Sequence, residues 1–178
     1  MLVAALWGFA EATLFFVVPD VFLTLVALRD RRAGLLACGA ATAGAVVGGL
    51  LMYLWGRTDA GEASAALLAV PGIGRGMIQG VRSSLDSTGL LALFLGPLSG
   101  TPYKIYAVMS GDMGLGLAMF LVVSVPARGV RFIILTLATS WVSRRPLAAW
   151  TLGRKRIAAI ALWIVFYALY FAAKGRPT

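Results

Sequence analysis

The stretch EATLFFVVPD, Glu11 to Asp20, places two carboxylates and a proline within an otherwise apolar run near the start of the chain. Leu2 to Phe16 is apolar apart from Glu11, and Val21 to Leu28 is apolar again ahead of Arg29-Asp30-Arg31-Arg32. Neither arm reaches the ~20 apolar residues that a helix needs to cross the hydrocarbon core of a bilayer. With Pro19 near the middle, residues 1–28 read as a re-entrant hairpin, a half-helix, a break and a second half-helix. Backbone groups freed at such a break must find partners in protein or in a cavity, because lipid offers none. A signal peptide is the alternative reading. Against it, the start has no basic n-region and Glu11 interrupts the apolar core that such a peptide needs.

Composition carries the same reading outward. Of 178 residues, 60% are hydrophobic and 13% charged, with a mean hydropathy of +0.89. Soluble domains run at roughly half apolar and a quarter charged, so the expectation is a single integral membrane domain over 1–178. Ala33 to Gly56 (33–56) is long enough to span, and Ala40, Gly44 and Gly48 repeat at the four-residue spacing that lets membrane helices approach closely. Residues 60–87 are more polar and broken by PGIG at Pro71 to Gly74. After the break Met77, Val81 and Leu85 oppose Gln79, Arg82 and Asp86, the pattern of an interfacial amphipathic helix.

Residues 88–112 repeat the opening pattern: Leu90 to Leu95 is apolar, GPLSGTPYK interrupts at Gly96 to Lys104, and Ile105 to Met109 resumes. A second re-entrant hairpin is expected there, with further spanning helices over 115–142 and 157–173. In the last of these Trp163, Tyr167 and Tyr170 are expected as interface anchors. The predicted fold is therefore all-α, a polytopic membrane protein with two re-entrant hairpins and three spanning helices.

The charges set an orientation. If the first hairpin starts on one side, that side receives Arg29, Arg31, Arg32, Arg144, Arg145, Arg154, Lys155 and Arg156 against Asp30, eight bases and one acid for a net +7. The other side receives Arg57, Arg75, Arg82, Lys174 and Arg176 against Asp59, Glu62 and Asp86, five bases and three acids for a net +2. The first side is cytoplasmic by the positive-inside rule, and the two hairpins enter from opposite faces. Inverted repeats with broken helices are a transporter architecture, with substrate held near the midplane.

Several function classes drop out. The chain has no His, and Cys38 is its only cysteine, which excludes a Cys-His dyad, a Ser-His-Asp triad and an internal disulfide. No enzyme activity, cofactor or metal is expected. The overall charge of +9 sits at the ends of apolar runs rather than in a basic stripe interleaved with aromatics, so no nucleic-acid partner is expected. PGIGRG and GDMGLG match no phosphate-binding loop and are read as flexible or closely packed glycines.

Glu11, Asp20, Lys104, Arg128 and Arg131 lie inside membrane segments or at their breaks. Each such group costs about 2.5–3.5 kcal/mol at the centre of a spanning helix. Two acids and three bases can pair with one another or line a water-filled cavity, and the surplus positive charge suits an anionic ligand. A buried ion-pair cluster that only pins the hairpins is the structural alternative, and for Arg131 so is snorkelling to the interface. Asp112 is expected at a hairpin mouth, and Tyr103 and Tyr106 as packing or interface residues. A glutamate that exchanges an arginine for a substrate can take up and release a proton, which would couple movement to a proton gradient. The start of the second arm would present N–H groups to a phosphate, with Lys104 as the point charge.

These stretches also carry a family resemblance. EATLFFVVPD resembles the acid-then-Pro-Asp/Glu motif in the first re-entrant loop of DedA membrane proteins, the bacterial branch of the VTT-domain superfamily, once labelled SNARE-associated. GAVVGGLLMYLWGR (Gly44 to Arg57) resembles that family's Gly-rich helix ending in Tyr-x-x-Gly-Arg. GPLSGTPYKIYAVMSG (Gly96 to Gly111) is similar to its second re-entrant motif, although neither arginine of that motif is present and only Lys104 offers a basic substitute. No helix precedes the first hairpin in this sequence, which suggests either the shorter, YqaA-like branch or a trimmed start.

The resemblance implies a flippase or scramblase in the inner cell membrane, moving undecaprenyl phosphate or a phospholipid between leaflets with a link to the proton motive force. Its partners would be phosphate-bearing membrane lipids, and a homo-oligomer is allowed. Glu11 and Asp20 carry over as the embedded acids and Lys104 as the basic residue, whereas Arg128 and Arg131 rest on the charge argument alone. The alternatives are a proton- or ion-coupled transporter of a small anion and a non-transporting assembly or scaffold protein.

Overall fold

The computed structural model describes residues 1–174, apart from the side chains of Leu98, Ala173 and Lys174. Arg176 of the charge count lies outside the described residues. Nine α-helices and no strand occur among them: α1 (Leu2–Ala12), α2 (Asp20–Arg29), α3 (Arg31–Thr58), α4 (Ala60–Leu68), α5 (Arg75–Thr88), α6 (Leu90–Leu95), α7 (Tyr103–Asp112), α8 (Leu117–Arg144) and α9 (Leu152–Lys174), with a short 3-10 turn, Gly96–Leu98, after α6.

Three of these, α3, α8 and α9, are long and apolar enough to cross a bilayer. At 28 residues each, α3 and α8 run about 42 Å at 1.5 Å per residue, beyond the ~30 Å hydrocarbon core. All three start or end a few residues outside the hydropathic limits, because Arg31, Arg57, Arg144 and Arg154–Arg156 continue helices into polar surroundings. Asp30 caps α3, its carboxylate accepting the Arg32 and Ala33 N–H groups at 3.0 and 3.1 Å, which satisfies two of the first-turn donors of the helix.

Small residues on α3 determine what packs there. A Cβ at Gly44 would stand 1.9 Å from the Ala5 carbonyl oxygen, and one at Gly48 would stand 2.7 Å from that of Phe9. The two contacts advance together, so α1 runs parallel to the first half of α3. Further along, a Cβ at Gly49 would stand 2.1 Å from the Tyr103 hydroxyl and one at Gly56 2.2 Å from the Val108 carbonyl oxygen. By the same reasoning α7 runs parallel to the second half. Thus α1 and α7 lie end to end along one helix, and their facing ends meet near its midpoint.

The antiparallel neighbour α8 is served in the same way. α2 follows its second half, with Ser140 donating to the Ala27 carbonyl at 3.4 Å and Ser143 to that of Leu28 at 3.2 Å, while α6 packs against α8 as well. Each broken pair is therefore shared: its first helix lies on the long helix that follows it in sequence, and its second lies on the other long helix.

The amphipathic stretch resolves into α4, a buried bend at Val70 and Ile73, and α5. Val81 and Leu85 are buried and Gln79, Arg82 and Asp86 exposed. The apolar face of α5 packs on α6 and α7, so protein covers the stripe expected at a membrane surface. α9 is the least buried of the three long helices within the protein.

Cys38 is 2% exposed, and its thiol lies 3.3 Å from the Phe132 carbonyl and 3.0 Å from the Thr136 hydroxyl of α8. Reactivity requires an accessible thiolate. A membrane-permeant maleimide is therefore expected to leave the folded protein unlabelled and to label it stoichiometrically after denaturation, as read by intact mass. Labelling of the native protein at the same rate would place Cys38 outside the α3–α8 contact.

Candidate functional site

The two breaks face each other at the level where α1 and α7 meet. α1 stops after Ala12: the Thr13 hydroxyl donates to the Ala10 carbonyl at 2.8 Å, competing for an acceptor of the last turn. The backbone that follows is satisfied from outside the segment. Trp7 Nε1 donates to the Val17 carbonyl at 2.9 Å, Val18 N–H donates to the Tyr167 hydroxyl at 2.9 Å, and Lys104 Nζ donates to the Phe15 carbonyl at 2.6 Å. Protein thus supplies the partners that lipid cannot. In the second break Thr101 N–H returns to the Gly96 carbonyl at 3.1 Å and Gly100 takes a φ of +93°, a backbone conformation that favours glycine.

All five charged residues singled out in the sequence converge here. Glu11, 4% exposed in the last turn of α1, is ion-paired with Arg128, 1% exposed on α8. Asp20, the first residue of α2, is ion-paired with Arg131, one helical turn further along α8. Arg131 also reaches the Pro97 carbonyl at 3.4 Å, so one side chain touches both breaks. It pairs inward rather than snorkelling. Arg128 is the twelfth residue of α8, about 17 Å from its start, which places the Glu11 pair in the middle third of that helix.

The pairing is incomplete in a specific way. Arg128 Nε and Nη1, and the second carboxylate oxygen of Asp20, have no hydrogen-bond partner among the described residues. The guanidinium instead lies 5.2 Å from the Tyr103 ring centroid and 4.8 Å from that of Phe132, a geometry in which ring quadrupoles stabilise the cation. Tyr103 is itself held by its hydroxyl contact to Ser124 at 2.8 Å and by stacking on Phe120. The two acids consume two arginines, and Lys104, 2% exposed, has only a carbonyl as partner. The cluster carries one positive charge more than its acids neutralise.

That surplus borders a cavity of about 360 Å³. Glu11, Lys104 and Arg131 reach its wall; Ser99 and Thr101 of the second break supply hydroxyls, and Phe16 and Phe166 supply apolar surface. Tyr167 and Tyr170, expected as interface anchors, line this cavity from α9. Arg128 and Asp20 stand behind the wall, each holding a residue or helix end that faces it. Asp112 is apart from the cluster, bridged to Arg82 of α5 at 2.6 Å.

Residue patterns did not single out Tyr103 as the platform for Arg128, Tyr167 as the acceptor for Val18, or Ser99 and Thr101 as lining groups. An aromatic residue in an apolar helix has the same hydropathic signature whichever way it faces. For Ser99 and Thr101, only their place in a polar break beside Lys104 marks them. Among the described residues no cluster of His, Cys, Asp and Glu is arranged to hold a metal ion. Comparison with protein-family models, with curated proteins and with solved structures finds no match for this chain.

Proposed function

We propose that the protein moves a phosphate-bearing lipid, a phospholipid or a polyprenyl phosphate such as undecaprenyl phosphate, between the leaflets of a membrane. In this proposal the broken pairs α1–α2 and α6–α7 are re-entrant hairpins that enter from opposite faces of the cell's inner membrane, as in the DedA proteins that the sequence resembles. The helices of both pairs have between 6 and 11 residues, or at most about 17 Å, too short to cross. The parallel runs of α1 and α7 along successive halves of α3 support opposed entry.

One observation carries the functional reading: a cavity at mid-height between the breaks, bordered by Lys104 and Arg131, with net positive charge and an apolar side. A phosphate group suits Lys104, whose ammonium has donors beyond the one given to Phe15. Phe16 and Phe166 suit the first carbons of an acyl or prenyl chain. The Glu11–Arg128 pair beside them is the candidate for coupling this movement to protons, since an anion that draws on the local positive charge competes with Glu11 for it.

The test is a leaflet-exchange assay in proteoliposomes with labelled polyprenyl phosphate and labelled phospholipids, with and without a pH gradient. Exchange of at least one of them, lost when Lys104 is changed, is the expected result. Lys104→Met keeps the buried stem and removes the charge. Loss of a charge-assisted bond of about 1.5–3 kcal/mol corresponds to roughly a ten-fold or greater fall in exchange, with helical circular dichroism unchanged. Uptake of a small anion without lipid exchange would instead identify an anion transporter, and inactivity toward both would leave a scaffold.

A further inference from the structure

Some 20 Å along α8 from the ion pairs, counting 13 residues from Arg131 to Arg144, lies a second pocket of different character. Its volume is about 320 Å³, and it is lined by Arg31 of α3 together with Leu137, Ser140, Trp141, Arg144 and Arg145. Three arginines, at the start of α3, at the end of α8 and just beyond it, thus border one concavity whose lining is mostly apolar. Trp141 is 62% exposed and Leu137 36%.

The local charge is uncompensated. Among the described residues no ion pair engages Arg31, Arg144 or Arg145. The one acid close by, Asp30, is committed to the first-turn N–H groups of α3. Those bonds, from Ala33 and then Arg32, together with the field of Arg144, hold its carboxyl below the ordinary aspartate value. Arg29, Arg32, Arg154 and Arg156 add exposed charge around the same end.

Depth identifies what meets this pocket. α3 begins at Arg31 and α8 ends at Arg144. Each is about 12 Å longer than the hydrocarbon core, so a crossing centred on its apolar stretch sets its terminal turns at headgroup level. An exposed Trp at that level is a membrane-interface residue. A polyacidic protein or a nucleic acid would meet the arginines but not the apolar wall below them. A glycerophospholipid meets both, its phosphate among the guanidiniums and its first methylenes against Leu137 and Trp141.

We propose that this pocket is a binding site for an anionic phospholipid headgroup, occupied by a resident lipid rather than by the lipid being moved. The site is separate from the central cavity and needs none of its residues. A lipid held there would tie the start of α3 to the end of α8, the two helices that carry the broken pairs.

The test uses the full chain in phosphatidylcholine nanodiscs with increasing phosphatidylglycerol, lipid retention being read by native mass spectrometry after release into detergent. A direct charge-assisted bond from a guanidinium to a phosphate is worth roughly ten-fold or more in binding, and only arginines that reach the phosphate make one. Arg31→Gln/Arg144→Gln/Arg145→Gln is therefore expected to weaken phosphatidylglycerol retention by roughly a hundred-fold at low salt. Arg29→Gln/Arg154→Gln/Arg156→Gln removes the same charge outside the pocket and is expected to keep most of it. Equal loss in the two triple variants would overturn the proposal in favour of diffuse attraction, and so would displacement of the lipid by millimolar inorganic phosphate.

A second measurement needs no change at the arginines. Phosphatidylglycerol with brominated acyl chains is expected to quench tryptophan fluorescence more than brominated phosphatidylcholine, and the excess is expected to vanish in Trp141→Phe. No excess quenching in the wild-type protein would also overturn the proposal. Leaflet exchange enters neither readout, so failure here is distinguishable from failure of the transport function.

Discussion

Arg128→Ala is expected to destabilise the protein by about 3–5 kcal/mol, the usual cost of leaving one member of a buried ion pair without its partner. Glu11 is 4% exposed, and truncation of Arg128, itself 1% exposed, would also remove the cation lying between the Tyr103 and Phe132 rings. The double variant Glu11→Leu/Arg128→Met behaves differently. Replacing both charges with apolar groups of similar size is often neutral or stabilising, so thermal unfolding in detergent should return to near the wild-type value. Leaflet exchange should not return, since no carboxylate then borders the cavity among the described residues. A double variant that unfolds like the wild type and exchanges lipid at the wild-type rate would reduce the pair to a structural pin. A single variant that costs under about 1 kcal/mol would mean that water already reaches Glu11.

Gly44→Leu is expected to dislodge α1. Even the first carbon of the new side chain would stand 1.9 Å from the Ala5 carbonyl oxygen, a backbone atom that cannot rotate away. Overpacking in a core that can adjust costs about 1–3 kcal/mol; here the helix itself must move, and the loss should exceed that range. Gly39 on the same helix is the control, because a Cβ there meets nothing within 4 Å. Gly39→Ala should stabilise by about 0.5–1 kcal/mol through helix propensity alone. Paired unfolding measurements in one detergent decide the matter. If Gly44→Leu and Gly39→Ala melt alike, the α1–α3 crossing is not as close as described.

What sequence reading reached, and where it stopped, follows from the physics of each signal. Hydropathy located α3, α8 and α9 because a spanning helix must be apolar over most of its length. It missed their ends, because Arg31 or Arg154 lengthens a helix without adding to its apolarity. The cost of an unpaired charge in an apolar setting made the association of Glu11, Asp20, Lys104, Arg128 and Arg131 foreseeable. Which acid takes which arginine was not foreseeable, since Arg128 and Arg131 share one face of α8 and differ by a single turn. The four-residue repeat of Gly44 and Gly48 announced a close crossing without naming α1 as the partner. In α5 the amphipathic stripe was legible, but a stripe reads the same against a bilayer or against α6 and α7.

Among the walls of the central cavity, the one contributed by α9 is the least buried: it is held by a hydroxyl accepting from Val18, by aromatic edges against Phe16, by its contact with α2 and, in its first turn, by Lys155 donating to the Ser143 carbonyl at 2.8 Å. Helices with few buried apolar contacts open at lower cost than those packed on all sides. Were that wall to lean away, the chamber would gain a doorway in the plane of the sheet rather than toward water. Through such a sideways opening, a molecule with one wet end and two long oily tails could present only its head, leaving the tails outside throughout.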